Sequence, residues 1–165
     1  MTAGLLAASG GVFVGDFNAQ LYTGDASTRS ITTQFPPDLV WIKDRDNAAT
    51  VHHLFSSDRG ATNFVQSNTS AGETTIAGSL TAFNSDGYSL GTASATNGTG
   101  NDYISYSWRK RPDFFDIVEY TGNGSNRTIA HGMSVVPDII WVEALSVGSD
   151  WRCYHSANTG SPARS

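Results

Sequence analysis

Only one cysteine, Cys153, stands in this 165-residue chain, so no disulfide can form within it. A lone cysteine of this kind reads as a small buried hydrophobe rather than a reactive thiol. Charge is scarce as well. Charged residues make up 15% of the chain, and 10 basic against 15 acidic side chains leave a formal net charge of −5. Binding phosphates requires a basic face, so nucleic acid is excluded as the main partner. The one basic run, Arg109-Lys110-Arg111, reads as a solvated linker. No apolar run approaches the ~20 residues of a membrane helix, which argues against membrane insertion. Residues 1–11, MTAGLLAASGG, have neither a basic n-region nor an apolar run long enough for a signal peptide. They read as an N-terminal arm on a soluble chain made without a secretion signal. Nowhere does a 3.6-residue apolar period emerge, so helix is expected over less than about 10% of the chain.

What is present is hydrophobic residues at 39%, aromatics at 11% and 17 glycines. Aromatics at this level argue against disorder, and the glycines argue for turns. Short strand-like runs follow one another between Gly, Asn, Asp and Pro. They include Phe17–Tyr22, Arg29–Thr33, Leu39–Ile42, Val51–Phe55, Leu80–Phe83, Tyr88–Leu90 and Tyr103–Trp108. In the first of these Phe17, Ala19 and Leu21 share a face. Leu39–Ile42 is continuously apolar and reads as a strand buried on both faces. Asp86-Gly87 reads as a hairpin turn, and Ala93–Gly100 as a loop of small residues. Such spacing predicts an all-β, antiparallel β-sandwich, jelly-roll-like.

The chain also repeats itself. Tyr22-Thr23-Gly24 recurs as Tyr120-Thr121-Gly122, and at the same spacing Ser27, Arg29 and Ile31 recur as Ser125, Arg127 and Ile129. After a short insertion around Gly132–Val135, Pro37, Asp38 and Trp41 recur as Pro137, Asp138 and Trp141. A period this long signifies a duplicated domain, since solenoid periods run to roughly 50 residues at most. The reading is an arm at 1–11, a first repeat at 12–110 and a second, truncated repeat at 111–165. Strands are then expected at Phe115–Tyr120, Arg127–Ala130, Asp138–Glu143 and Trp151–His155. Tyr22, Trp41, Tyr120 and Trp141 are expected as equivalent core positions. The second repeat has no counterpart of Ala61–Arg109, about half the unit. Its open face and bare edges are expected to be covered by neighbours in a homo-oligomer or by other proteins. Packing onto the first repeat and further chain are the alternatives.

Candidate chemistry is thin. Asp44-Arg45-Asp46-Asn47 offers oxygens to a cation, but the Gly and the distal Glu of a calcium loop do not follow. A polar β-turn is the better reading, with Asp44 and Asp46 kept as surface contacts. His52-His53 looks like a metal pair, yet strand neighbours point to opposite faces. No metal, cofactor or catalytic residue is therefore assigned. Asp38, Asp58, Asp86 and Asp102 sit in or beside turns, where Asp bonds its own backbone. Nothing in the sequence sets two of them across a cleft as glycoside hydrolysis requires. Nucleophile elbows, P-loops and HExxH are absent, so the chain is read as no enzyme. The N-x-[ST] triplets at Asn68, Asn97, Asn123 and Asn126 read as turns. Trp151 and Tyr154 are the candidates for an exposed aromatic contact.

Several stretches are distinctive as a set: PDLVWIK, DRGAT, SDGYSLG and YTGNG. Over about Phe17–His155 the chain resembles a family of tailed-phage virion proteins, found in tail-fibre-like and other structural proteins, often as tandem copies. The resemblance implies a β-rich virion component, assembled in the host cytoplasm, and names no catalytic residue. Its partners would be other virion proteins and a host surface glycan. The tail or fibre is the favoured place, with a capsid decoration protein as competitor and a free-standing carbohydrate-binding module as the alternative outside that class.

Overall fold

The computed structural model describes residues 15–158. The arm expected at 1–11 lies outside the described residues, as does the end of the second repeat. The first repeat folds as nine strands: β1 (Phe17–Thr23), β2 (Arg29–Thr32), β3 (Leu39–Asp44), β4 (His53–Ser56), β5 (Asn63–Gln66), β6 (Thr74–Thr75), β7 (Leu80–Asn84), β8 (Gly87–Leu90) and β9 (Asp102–Trp108). A single helical turn, α1 (Ser94–Asn97), lies in the stretch of small residues between β8 and β9. Further on come β10 (Ile139–Val142) and β11 (Arg152–His155). All strand pairs are antiparallel, in a six-stranded sheet ordered β1-β9-β3-β4-β5-β6, a three-stranded sheet ordered β2-β8-β7 and the β10–β11 pair. The fold is an all-β, antiparallel sandwich.

The alternation along β9 sets the layers. Tyr103, Ser105 and Ser107 point inward and are at most 1% exposed, while Ile104, Tyr106 and Trp108 point out. One cluster of buried side chains joins the two larger sheets, with Tyr22, Val40, Ile42, Phe55 and Phe64 from one and Ile31, Leu80, Tyr88 and Leu90 from the other. β4, buried along its whole length, runs through the middle of the larger sheet.

Several expectations are corrected. Leu39–Ile42 is not buried on both faces: Val40 and Ile42 are enclosed, whereas Leu39 and Trp41 are only half-buried. In β1 Phe17, Ala19 and Leu21 do share a face, opposite Trp108, Tyr106 and Ile104, but it is the outer one: Leu21 is 58% exposed, and Tyr22 points into the core. Both differences have one cause: among the described residues the outer face of the larger sheet is covered only in part, by Phe115 against Trp108 and by Trp141 of β10 against Trp41. The Asp86-Gly87 hairpin forms, but Gly87 does not have a positive φ. Glycine is needed there because a Cβ would lie 3.0 Å from the carbonyl carbon of Ile31 on β2. The basic run is no free linker. Lys110 Nζ donates to both carboxylate oxygens of Asp58 at 2.8 Å, and Arg111 pairs with the buried Asp16 at 2.9 Å.

The second repeat departs most. Phe115–Tyr120 and Arg127–Ala130 form no strand, and of the four expected only β10 and β11 appear. No residue from 111 to 158 is buried. Tyr120 and Trp141, expected in a core, are each 50% exposed, and Cys153, expected buried, is exposed. Tyr22 alone of the four repeat positions lies in the core.

Candidate functional site

The residues singled out at Asp44 and Asp46 shape a turn. Asp44 is 1% exposed. Its Oδ1 accepts the backbone N–H groups of Asp46 and Asn47 at 3.0 Å, and its Oδ2 accepts Asn101 Nδ2 at 2.9 Å. Asp46 Oδ2 accepts the N–H of Asp102 at 2.7 Å, tying the β3–β4 loop to the start of β9. Both carboxylates are thus occupied by protein donors, as expected of a polar turn. A shallow cleft of ≈ 390 Å³ lies beside this turn, lined by Asp44, Asn47, Thr50, His53, Ser94 and Asn101 among others. Among the described residues no three His, Cys, Asp or Glu side chains gather to hold a metal ion.

The two histidines diverge as strand geometry demands. His53 points inward between Phe55 and Phe64, with ring centroids at 6.2 and 4.7 Å. Burial, with help from the charges of His52 and Lys43, pushes its pKa down from 6.5 to about 4. His52 points out, and its Nδ1 accepts the indole N–H of Trp41 at 2.9 Å. Burial and then Lys43 lower its pKa as well.

Trp151 and Tyr154 do not form a joint platform. The Trp151 indole donates to the carbonyl of Gln66 at 2.9 Å and holds the second repeat against β5. Tyr154 is 53% exposed. It pairs across the strands with Ile140, while Trp141 pairs with Cys153, so Tyr154 and Trp141 face opposite ways. Glu143, just past β10, has both carboxylate oxygens enclosed and without a hydrogen-bond partner. Burial first, and the charge of Asp150 second, raise its pKa.

Sequence reasoning missed the aromatic layer on the outer face of the larger sheet. Phe17 stacks with Tyr106 at 6.4 Å, Trp41 with Trp108 at 6.5 Å, and Trp41 meets Tyr106 edge-on at 6.1 Å. The second repeat leans on this layer through Phe115 against Trp108 and Trp141 against Trp41, both at 6.2 Å. The signal lay in β9, whose alternation sets Tyr106 and Trp108 opposite Tyr103.

Matching contacts recur between positions that the sequence aligns. Arg29 lies 5.3 Å over the Tyr22 ring, and Arg127 lies 5.4 Å over the Tyr120 ring. The N–H of Ser27 donates to Asp25 Oδ1 at 2.9 Å, and that of Ser125 to Asn123 Oδ1 at 3.1 Å. One residue off that alignment, which sets Ser156 against Ser56, a serine contact to the repeated Asp also recurs: Ser57 Oγ donates to Asp38 Oδ1 at 2.9 Å, and Ser156 Oγ to Asp138 Oδ1 at 2.6 Å. Strands β10 and β11 pair antiparallel as β3 and β4 do, in a register one residue away from the sequence alignment: Trp141 is opposite Cys153 where Trp41 is opposite Leu54, the counterpart of Tyr154. What differs is the surroundings. Among the described residues, 118–131 find no backbone–backbone hydrogen-bond partner, and residues 120–129 instead curve around a depression of ≈ 540 Å³.

These features define an all-β sandwich carrying an exposed, sheet-poor second half. Residues 15–163 match the family described as Domain of unknown function (DUF7483), and the chain belongs to that family. The match spans both halves of the chain. No curated protein and no solved structure matches it.

Proposed function

We propose that this chain is a structural component of a tailed-phage virion, associated with the tail or fibre, which works by assembling with other chains rather than by turnover. The observation that carries this reading is the second half of the chain. From 111 to 158 no residue is buried, and Val136, Ile139, Ile140, Trp141 and Tyr154 are each at least 43% exposed. An isolated two-stranded hairpin is at best marginally stable in water. Apolar residues on such a hairpin, with two bare edges, suit a surface that is covered on assembly. The resemblance of PDLVWIK, DRGAT, SDGYSLG and YTGNG to virion proteins supplies the setting. The recurring Tyr–Arg, Ser–Asx and Ser–Asp contacts support a duplicated unit within it. In this reading the Ile140–Tyr154 face of the hairpin, turned away from Trp141, is the side that would meet a host surface glycan.

Electron microscopy of intact particles labelled with an antibody to this chain is the test. Label on tails or fibres is the expected result. Label on heads would transfer the role to capsid decoration. Particles without label would overturn the virion reading.

A further inference from the structure

In the first repeat the Tyr22–Arg29 turn is closed by the segment between β8 and β9. Gly24 donates its N–H to the carbonyl of Asn101 at 2.8 Å and accepts from the N–H of Gly100 at 2.9 Å. Asn97 reaches into the turn: its Oδ1 accepts the N–H of Asp25 at 3.2 Å, and its Nδ2 donates to the carbonyl of Ser27 at 2.7 Å. The approach is so close that a Cβ on Gly24 would collide with the carbonyl oxygen of Gly98 and lie 2.9 Å from the Tyr103 ring. Glycine is obligatory there for the contact, not for φ. On the strand side, β9 lies between β1 and β3, in register from Phe17 opposite Trp108 to Tyr22 opposite Tyr103, while β8 pairs with β2.

The second repeat keeps the receiving half of this arrangement. Gly122 aligns with Gly24, yet a Cβ on it would meet nothing within 4 Å. The ≈ 540 Å³ depression is lined by Tyr120, Gly122, Asn123, Ser125, Arg127 and Ile129, which align with the turn residues that Asn97 and Gly98 close on in the first repeat. The strands that form and those that do not follow one rule. β10 and β11 pair with each other, as β3 and β4 do. The counterparts of β1 and β2, at 115–120 and 127–130, form no strand. Their partners in the first repeat are β9 and β8, and residues 111–158 contain neither.

We propose that the 115–130 arm and the free edge of β10 are a docking site for a strand–loop–strand segment of another polypeptide, with the chemistry of this chain's own β8–β9. The segment carries an Asn-Gly loop, which enters the Tyr120–Ile129 turn against Gly122. After it comes a strand alternating small polar and aromatic residues, which slots between 115–120 and β10. Addition of a strand to an exposed edge gives affinity through main-chain hydrogen bonds and specificity through alternate side chains. This rests on the assembly reading above. It is separable from it, because particle labelling does not depend on peptide binding.

The probe is a synthetic peptide of residues 87–109, added to the full chain. Binding at micromolar concentration is expected, with new hydrogen-exchange protection at 115–130 and 139–142. Gly122→Leu should weaken it by at least about tenfold. Because position 122 is open, that variant should leave exchange in β3, β4 and β9 unchanged. Absence of binding would overturn the proposal, as would binding indifferent to Gly122→Leu, which would mean exchange with the first repeat's own strands. A self-associated chain already protected at 115–130 and indifferent to the peptide would also overturn it, in favour of a second copy as occupant.

Discussion

His53 and Trp41 show how much one residue's contribution depends on which face of the sheet it occupies. The His53 ring is 1% exposed, its Nδ1 has no partner, and its folded pKa lies near 4 against an ordinary 6.5. Because the folded value is depressed, an unfolded chain takes up a proton that the folded chain refuses. Stability is therefore full above about pH 6.5 and falls as the pH drops toward 4, by up to about 3 kcal/mol from this group. Replacing His53 with Phe, which suits a site between Phe55 and Phe64, should flatten that slope. Urea unfolding at pH 7.5 and 4.5 checks it, and an equal loss in both proteins would refute it. Trp41 belongs to the half-covered outer layer, so Trp41→Ala should cost only about 1–2 kcal/mol. Phe55→Ala, inside the core, should cost about 3–5 kcal/mol. Chemical unfolding of the two variants side by side should keep that order.

At the scale of elements, the two glycine positions separate what a strand needs from what it awaits. Gly87 lets β8 close on β2, and a Cβ there has backbone atoms of Ile31 and Thr32 within about 3 Å. Gly87→Ala should therefore cost at least about 2 kcal/mol, or prevent folding, whereas Gly122→Ala should stay within about 0.5 kcal/mol. Thermal unfolding of both variants tests the contrast. Most of the first repeat's strands were legible because each is a short apolar or alternating run between Gly, Pro, Asn and Asp turns, whereas the two-residue β6 carries no such signal. β9 is the clearest, since its serines and Tyr103 mark the inner face before any partner is known. The failures at Phe115–Tyr120 and Arg127–Ala130 have the opposite origin. Their sequences carry the same strand signal as β1 and β2, but a strand exists only as part of a pair. Trp41 was misjudged for a related reason. A run such as Leu39–Ile42 reads as doubly buried, and no local pattern tells whether a second layer covers the outer face. The Asp44 turn is legible because an Asp that bonds its own following N–H groups is a local matter, but Asp44 is no surface contact: at 1% exposed it is enclosed by the turn it shapes. The Gly122 cradle was not legible at all, because its meaning comes from the neighbours of Gly24.

Over the whole molecule, burial is concentrated at one end of the chain. Every residue of the core cluster lies between Tyr22 and Tyr103, and residues 111–158 touch the first repeat only from outside. Those outside contacts include the Arg111–Asp16 ion pair, Trp141 on Trp41, Phe115 on Trp108, the Trp151 indole on the Gln66 carbonyl, and the N–H of Glu73 on the carbonyl of Leu145 at 2.8 Å. Stability follows the apolar area withdrawn from water, so the first repeat should hold most of it. A chain ending after Arg111 keeps the ion pair with Asp16 and all nine strands of the sandwich. It should unfold in one cooperative transition, with a midpoint lowered by no more than about 8 °C, the shift that about 1–2 kcal/mol produces in a domain of this size. Removing the second repeat also uncovers Trp41 and Trp108. The uncovered aromatic layer should make the shortened chain the more prone of the two to self-associate. Calorimetry with sedimentation decides the matter. Loss of the cooperative transition would show that the second repeat is part of the folding unit rather than an arm held against it.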